Sequence, residues 1–416
     1  MKKINFLIIL LCLFSASGIK AYELGNIDIH GFLSQGYMWT TDNNYLGETD
    51  SGTFQFNEYG INFSTDLTDN LRFGLQFFGR DLGKTGNDEL TIDWAYLDYR
   101  YRDWLGVRVG NVKLVLGLYN EYRDMDMLRT TIFLPQSIYI ELWRDTFAAV
   151  KGITFYGNKR LGSLGKFSYT AQIGQLPTKD NTGFVDLMES RSVFKQNNVE
   201  ITDVDAGYVS TIGLGWDTPV KGFKLNYTMY NLNDFDAEGK SSITTGVGPS
   251  GLPYSYLGKF KYKTTKMWGL IGGFEYSKGD LLLAGEYMKS EYKARGDVFA
   301  DLPVGEFETS LPAQGWYVSS SYRFTDLFSA ALTYSDYIPN TDDRDGDEFK
   351  KIGEKDFKAW LKTVTLSTRF DINSFVVFKM EASQNHGWGH HDPLGVSSKG
   401  LKEDWTLLSA KLTVSF

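Results

Sequence analysis

The 416 residues include one cysteine, nine prolines and four histidines, and no apolar run reaches the ~20 residues that a membrane-spanning helix needs. The lone Cys12 falls in an amino-terminal segment that reads as removable. That leaves no thiol for a disulfide framework, a cysteine-ligated metal or a catalytic nucleophile. A formal net charge of −8 argues against nucleic acid as a partner, because phosphate backbones attract basic surfaces. What abounds is glycine, 43 residues, and aromatic side chains, 15% of the chain. With a negative mean hydropathy, this composition suits a closed sheet in which every strand has one wet face and one lipid face.

The first residues carry Lys2 and Lys3, then an apolar stretch to Phe14, then the small residues Ser15, Ala16, Ser17, Gly18 and Ala21. This is the layout of a secretory signal peptide over residues 1–21, with a single domain over 22–416. Leu11 is too bulky for lipoprotein cleavage at Cys12. Loss of Lys2, Lys3 and Lys20 brings the net charge to about −11.

From there the chain alternates with a period of two, the signature of strands half exposed to each of two environments. Phe328, Ala330, Leu332 and Tyr334 oppose Ser329, Ala331, Thr333 and Ser335; Val364, Leu366 and Phe370 oppose Thr363, Thr365, Ser367 and Arg369. Val376, Phe378, Met380 and Ala382 oppose Lys379, Glu381 and Ser383. At the end, Leu408, Ala410, Leu412, Val414 and Phe416 oppose Ser409, Lys411, Thr413 and Ser415. Seven tight turns, at 66–71, 102–107, 158–166, 217–223, 277–281, 324–327 and 371–375, alternate with eight long polar segments, near 41–54, 83–88, 117–146, 177–205, 233–258, 293–313, 339–357 and 385–403. The count predicts an all-β fold: a transmembrane antiparallel barrel of about 16 strands.

The carboxyl-terminal strand resembles the last strand of Gram-negative outer-membrane barrels, whose final aromatic, here Phe416, is read by the barrel assembly machinery. The whole layout resembles the Gram-negative porin superfamily. Ile29-His-Gly-Phe32 is similar to the first strand of several porins. Gly110, Lys113 and Gly117 match a Gly-x-x-Lys-x-x-x-Gly spacing that precedes the constriction loop of phosphate-selective-type porins. The resemblance implies an outer-membrane location among lipid and lipopolysaccharide, passive diffusion of small hydrophilic solutes or ions, a homotrimer and no cofactor. It also implies that residues 117–146 form a third outer loop folded into the pore.

On that reading Glu121, Arg123, Asp124, Asp126 and Arg129 face the solute path, and Ile132, Phe133, Leu134 and Ile138 face the wall. Parity along 259–276 sets Lys259, Lys261 and Lys263 opposite Phe260, Tyr262, Trp268 and Leu270, so the lysines are expected on the lumen face. Arg72, Arg80, Arg100, Arg108, Arg323 and Arg369 are expected to join them as a basic ladder favouring anions; Asp98, Glu275 and Glu381 share the same surface and offset it. A parity slip between Arg108 and Lys113 predicts a bulge. Other readings compete: an 18-stranded sugar-specific porin, for which Trp94 and Tyr96 would supply lumen aromatics, and a structural or adhesive barrel. A barrel enzyme is disfavoured because His30 stands alone and no nucleophile motif accompanies it. His386, His390, His391 and Asp392 form a metal-like cluster that lacks a completing ligand. In the acidic stretch Asp342–Glu348, glycine stands at the wrong place for a calcium loop.

Overall fold

The computed structural model describes residues 23–24, 27–83, 85–177, 185, 188–189, 192–247, 253–302, 305–389 and 400–416. Its strands are β1 (Ile27–Thr40), β2 (Phe56–Thr68), β3 (Leu71–Leu82), β4 (Thr91–Arg102), β5 (Leu105–Lys113) and β6 (Ala149–Arg160). They continue as β7 (Lys166–Gln175), β8 (Glu200–Ala206), β9 (Tyr208–Asp217), β10 (Phe223–Leu232), β11 (Phe235–Val247) and β12 (Pro253–Lys278). The last six are β13 (Leu281–Asp297), β14 (Glu306–Arg323), β15 (Phe328–Ile338), β16 (Leu361–Asp371), β17 (Val376–Gly387) and β18 (Asp404–Ser415).

Sixteen of these strands close into one antiparallel ring. Each pairs with its neighbour in sequence except where β7 joins β9 and β10 joins β12, bypassing β8 and β11. The ring closes between β18 and β1, from Leu407 opposite Thr40 to Ser415 opposite Phe32. Phe416 completes the seam. Its amide donates to the Gly31 carbonyl at 3.0 Å, and the Gly31 amide donates back at 3.1 Å. A Cβ on Gly31 would come within 2.7 Å of the Phe416 ring, which would have to shift to admit it.

Burial is inside out, as the alternation requires. Leu332, Val364, Leu366, Met380 and Leu408 are exposed on the outer wall, while Ser329, Thr333, Ser367, Ser383, Ser409 and Thr413 are buried within. At the short-turn end a row of rings runs Tyr322, Phe324, Phe328, Phe370, with centroids 4.9, 5.5 and 5.2 Å apart, and Phe167 stacks on Trp216 at 5.3 Å. Such rings suit a membrane interface, with an apolar body toward lipid and an edge toward headgroups.

The seven short turns fall where the sequence places them. Two of the expected outer loops are largely strand instead, and a third, 177–205, ends in β8. Most of 233–258 is β11 and the outer part of β12, which with β8 form a small sheet beyond the ring, and 293–313 is largely the extended ends of β13 and β14. The expected bulge between Arg108 and Lys113 also moves: β5 pairs with β6 without interruption there, and the extra residue is Asp93, in β4. Opposite that irregular stretch, Gly110 adopts φ 136° and pairs with Tyr96.

Candidate functional site: the loop across the lumen

Residues 114–148, between β5 and β6, fold into the barrel. Gly117, at φ 61°, starts the inward path, and a side chain there would crowd Tyr139 Oη and Glu286 Oε1. The buried Asn120 ties the loop's two ends together, its Nδ2 donating to the carbonyls of Leu114 at 2.8 Å and Phe147 at 3.0 Å.

Three sets of contacts fix the loop to the wall. Toward β3–β5, Arg80 binds Glu141 at 3.0 Å and Asp145 at 3.1 Å, and Arg123 binds Glu141 at 2.9 Å. Asp124 is clasped between Lys113 and Arg144, and Lys113 also reaches Asp93 at 2.5 Å. Arg144 caps the Phe78 ring at 3.9 Å. Four cations thus meet four carboxylates, all buried or nearly so.

Toward β16–β18, Asp126 accepts from Lys411 at 2.8 Å, Arg129 at 3.1 Å, Lys379 at 3.3 Å and Thr413 Oγ1 at 2.8 Å. Lys411 also pairs with Glu58. Backbone groups are held as well. Lys379 donates to the Asp126 and Thr131 carbonyls, Arg369 donates to those of Met127 and Arg129, and Glu381 accepts from the amide of Ile132 at 2.8 Å. Toward β13 and β14, Glu286 accepts from Tyr139 Oη at 2.6 Å, Tyr317 Oη at 2.8 Å and the Leu118 amide at 2.8 Å.

The loop's carboxyls register this setting. Burial opposes the charged form of Asp124, yet Arg144 and Lys113 hold it well below the usual carboxylate range; Lys379 and Lys411 do the same for the buried Asp126. Glu141 and Asp145 are lowered in the same way, against burial, by Arg123 and Arg80 for the first and by Arg80 and Arg144 for the second. Glu121 goes the other way. Burial pushes its carboxyl up, only partly offset by Arg108 and Lys113. Ile132, Leu134, Ile138 and Ile140 pack in one cluster with Tyr45 and Leu46 of the first outer loop, Phe357 of the seventh and Trp388 of the eighth.

This arrangement corrects the expectation that the loop's charges face the solute. Arg123, Asp124 and Asp126 are consumed by buried ion pairs, Arg129 is mostly buried, and Glu121 is tucked beside Arg108. The side chains left exposed are Tyr122 (51%), Met125 (50%) and Leu128 (65%). The apolar residues Ile132, Phe133, Leu134 and Ile138 do face other apolar groups, as expected.

The basic ladder is corrected too. β12 shifts register between Thr264 and Lys266, and one extra residue reverses every side chain beyond it. Phe260 and Tyr262 therefore point inward, into a cluster with Phe194 and Phe235, and Lys259, Lys261 and Lys263 lie on the outer face. There Lys261 pairs with Glu238 at 3.6 Å and Lys263 with Asp236 at 3.4 Å. Arg80 and Arg369 are lumen residues but serve the loop. Arg72 lies 3.9 Å from Asp28 and Asp66, Arg100 binds Asp103 at 3.3 Å, Arg108 binds Asp98 at 2.9 Å and Arg323 binds Asp326 at 3.0 Å. The wall anchors missing from the predicted site are Glu58, Asp93, Lys113, Glu286, Lys379 and Lys411, and Glu381 was expected as an offsetting charge, not as an anchor. Their signal was a charge at an inward-facing position of a strand.

His386 contacts Asp404 at 2.9 Å and Glu403 at 3.3 Å, while His390, His391 and Asp392 lie outside the described residues. Asp343 caps the short helix Asp347–Lys351 by accepting from the Glu348 amide at 3.1 Å, which gives the acidic stretch a local structural role.

The closed sixteen-strand ring has clear structural counterparts. OmpF of Salmonella typhi, solved with daunomycin, superposes with a TM-score of 0.55 at 14% identity, covering 95% of this chain and 99% of that one. The fold is that of the outer-membrane porins of Gram-negative bacteria. An anion-selective porin from Comamonas acidovorans (TM-score 0.52, 12% identity, 94% of this chain and 99% of that one) shares this porin fold. So does the trimer form of Vibrio cholerae OmpT (0.50, 11%, 94% and 99%). No family model and no curated protein matches the sequence.

Proposed function

We propose that this protein is an outer-membrane channel for passive diffusion of small hydrophilic solutes, narrowed by residues 114–148. The observation that carries the reading is the loop itself, held across a hydroxyl-lined lumen from three sides by side chains of the barrel wall. A barrel that served only as an anchor or adhesin has no need of such a crossbar.

The proposed selectivity is a weak preference for anions. It does not come from a ladder, since Lys259, Lys261 and Lys263 lie on the outer face and Arg72, Arg100 and Arg108 are tied to carboxylates. It comes from the approach to the loop on the short-turn side, where Arg129, Arg323 and Arg369 stand against Asp280 and Asp371. Assembly as a homotrimer, insertion through recognition of Phe416 and contact of the outer loops with lipopolysaccharide belong to the same proposal; the trimer form among the structural counterparts supports the first.

The test is a planar bilayer with purified protein in a salt gradient. Discrete conductance steps and a small reversal potential of anionic sign are expected. A folded barrel that inserts and passes no current would overturn the reading.

A further inference from the structure

On the short-turn side of the loop, against β13–β16, lies a cavity of about 340 Å³. Its lining is divided. Leu128, Leu134 and Leu282 form an apolar side, and Ser321, Arg323 and Arg369 form a polar one.

Leu128 closes the second of two short 3₁₀ turns, Asn120–Tyr122 and Asp126–Leu128. Tyr122, Met125 and Leu128 are the exposed residues of this stretch, and of the three Leu128 lines the cavity. Their charged neighbours Arg123, Asp124 and Asp126 are turned away into ion pairs. Leaving three large apolar groups in water while burying charges is the reverse of what lowers a loop's own free energy, and apolar surface displayed in this way marks ligand sites.

The polar side supplies the complement. Arg323 is half exposed, and among the described residues its side chain is held by its own turn, through Asp326 Oδ1 at 3.0 Å, the Asp326 carbonyl at 3.5 Å and the Thr325 carbonyl at 3.3 Å. Of the two acidic residues in the lining, Asp371 is occupied by Arg369 through contacts of 2.6 and 3.0 Å, and Asp280 accepts the Arg323 amide through its backbone carbonyl at 3.0 Å. The volume suits a small ligand.

We propose that this cavity binds amphipathic organic anions. An apolar body would lie on Leu128 and Leu282, and a carboxylate or sulfonate would face Arg323 and the Ser321 hydroxyl. The passage of such solutes rests on the channel reading above; the binding itself does not.

Benzoate is a suitable probe, with benzyl alcohol as its neutral counterpart and sulfate as an anion without an apolar body. Equilibrium dialysis against the detergent-solubilised protein, with detergent alone as baseline, should show saturable benzoate binding. Benzyl alcohol and sulfate should each bind at least tenfold more weakly. Arg323→Gln and Leu128→Ser should each lower benzoate affinity at least tenfold, about 1.4 kcal/mol. Leu282→Asn, on the barrel wall, tests the apolar side should the loop variant fail to fold by circular dichroism. Equal binding of benzoate and benzyl alcohol, or benzoate affinity unchanged in the folded variants, overturns the site. Benzoate binding by a protein that passes no current removes the channel reading and keeps the site, whereas conductance without benzoate binding does the opposite.

Discussion

Asp126→Asn should release the loop. The change keeps shape and removes one negative charge from a pocket where Lys379, Lys411 and Arg129 converge. Lys411 retains Glu58, but Lys379 and Arg129 lose their only carboxylate partner among the described residues. Breaking one partner of a buried ion pair costs about 3–5 kcal/mol, because the other charge stays desolvated and uncompensated. Applied to the docking equilibrium of the loop, that is roughly a hundred- to several-thousand-fold. The assay is thiol modification at Ile132→Cys with Cys12 replaced by alanine, so that the probe is the only cysteine. Ile132 is buried, and its amide is held by Glu381, so modification reports undocking. Protection should fall by the stated factor, and channel conductance should rise with it. Adding Lys379→Met removes one of the stranded cations and should restore at least part of the protection, because the two side chains act as a unit. Protection within threefold of the parent in Asp126→Asn, or a double variant that is worse than the single, would refute the argument.

Gly315→Ala should also loosen the loop and raise conductance, since a Cβ there runs into the Ser137 carbonyl; an unchanged unit conductance would show that the loop shifts freely at that point. With pH, the same thiol protection should hold from neutrality to about pH 5 and decline only under strongly acid conditions. Asp124, Asp126, Glu141 and Asp145 have folded values below their unfolded ones, so their contribution is complete above the ordinary carboxylate range and is lost as pH falls through the lowered values. Lys259→Glu, Lys261→Glu and Lys263→Glu combined should leave the reversal potential unchanged at low salt, because these side chains lie on the outer face; a shift toward cations would return them to the solute path. Deleting Phe416 removes the last two hydrogen bonds of the β18–β1 seam and should lower the yield of folded barrel in membranes.

The barrel was legible because a membrane enforces alternation: a strand with lipid on one face has no freedom in which residues point outward. Leu332, Val364, Met380 and Leu408 all lie where parity puts them. The same logic failed at β12, where the pattern on both sides of the bulge looks continuous. Phe260, Tyr262, Trp268 and Leu270 share even numbers, and Thr264 and Lys266 interrupt them. Lys266 pairs with Glu291 at 2.6 Å and marks the shift, so the interruption was the signal. The candidate site was less legible for a different reason. Period two says that a residue faces the inside of the barrel, but it is silent on whether water or a loop waits there. Lys379, Glu381 and Lys411 have the same parity as a water-facing serine, and only the folded loop turns them into sockets.

That distinction bears on what the ion clusters do. Buried pairs of this kind gain little over apolar residues of equal volume, so stability alone does not account for them. Position does. The loop meets one cluster at β3–β5 and another at β16–β18, on separate parts of the ring, and each cluster sets cations against carboxylates. Sliding the chain by one residue would take Asp126 away from Lys379 and Lys411 and Asp124 away from Lys113 and Arg144, leaving buried charges unpaired on both walls. An apolar loop in an apolar socket would tolerate such a slip at far lower cost. The charges therefore set the register of the crossbar, and because they are spent on that task, the side chains the loop leaves exposed are Tyr122, Met125 and Leu128.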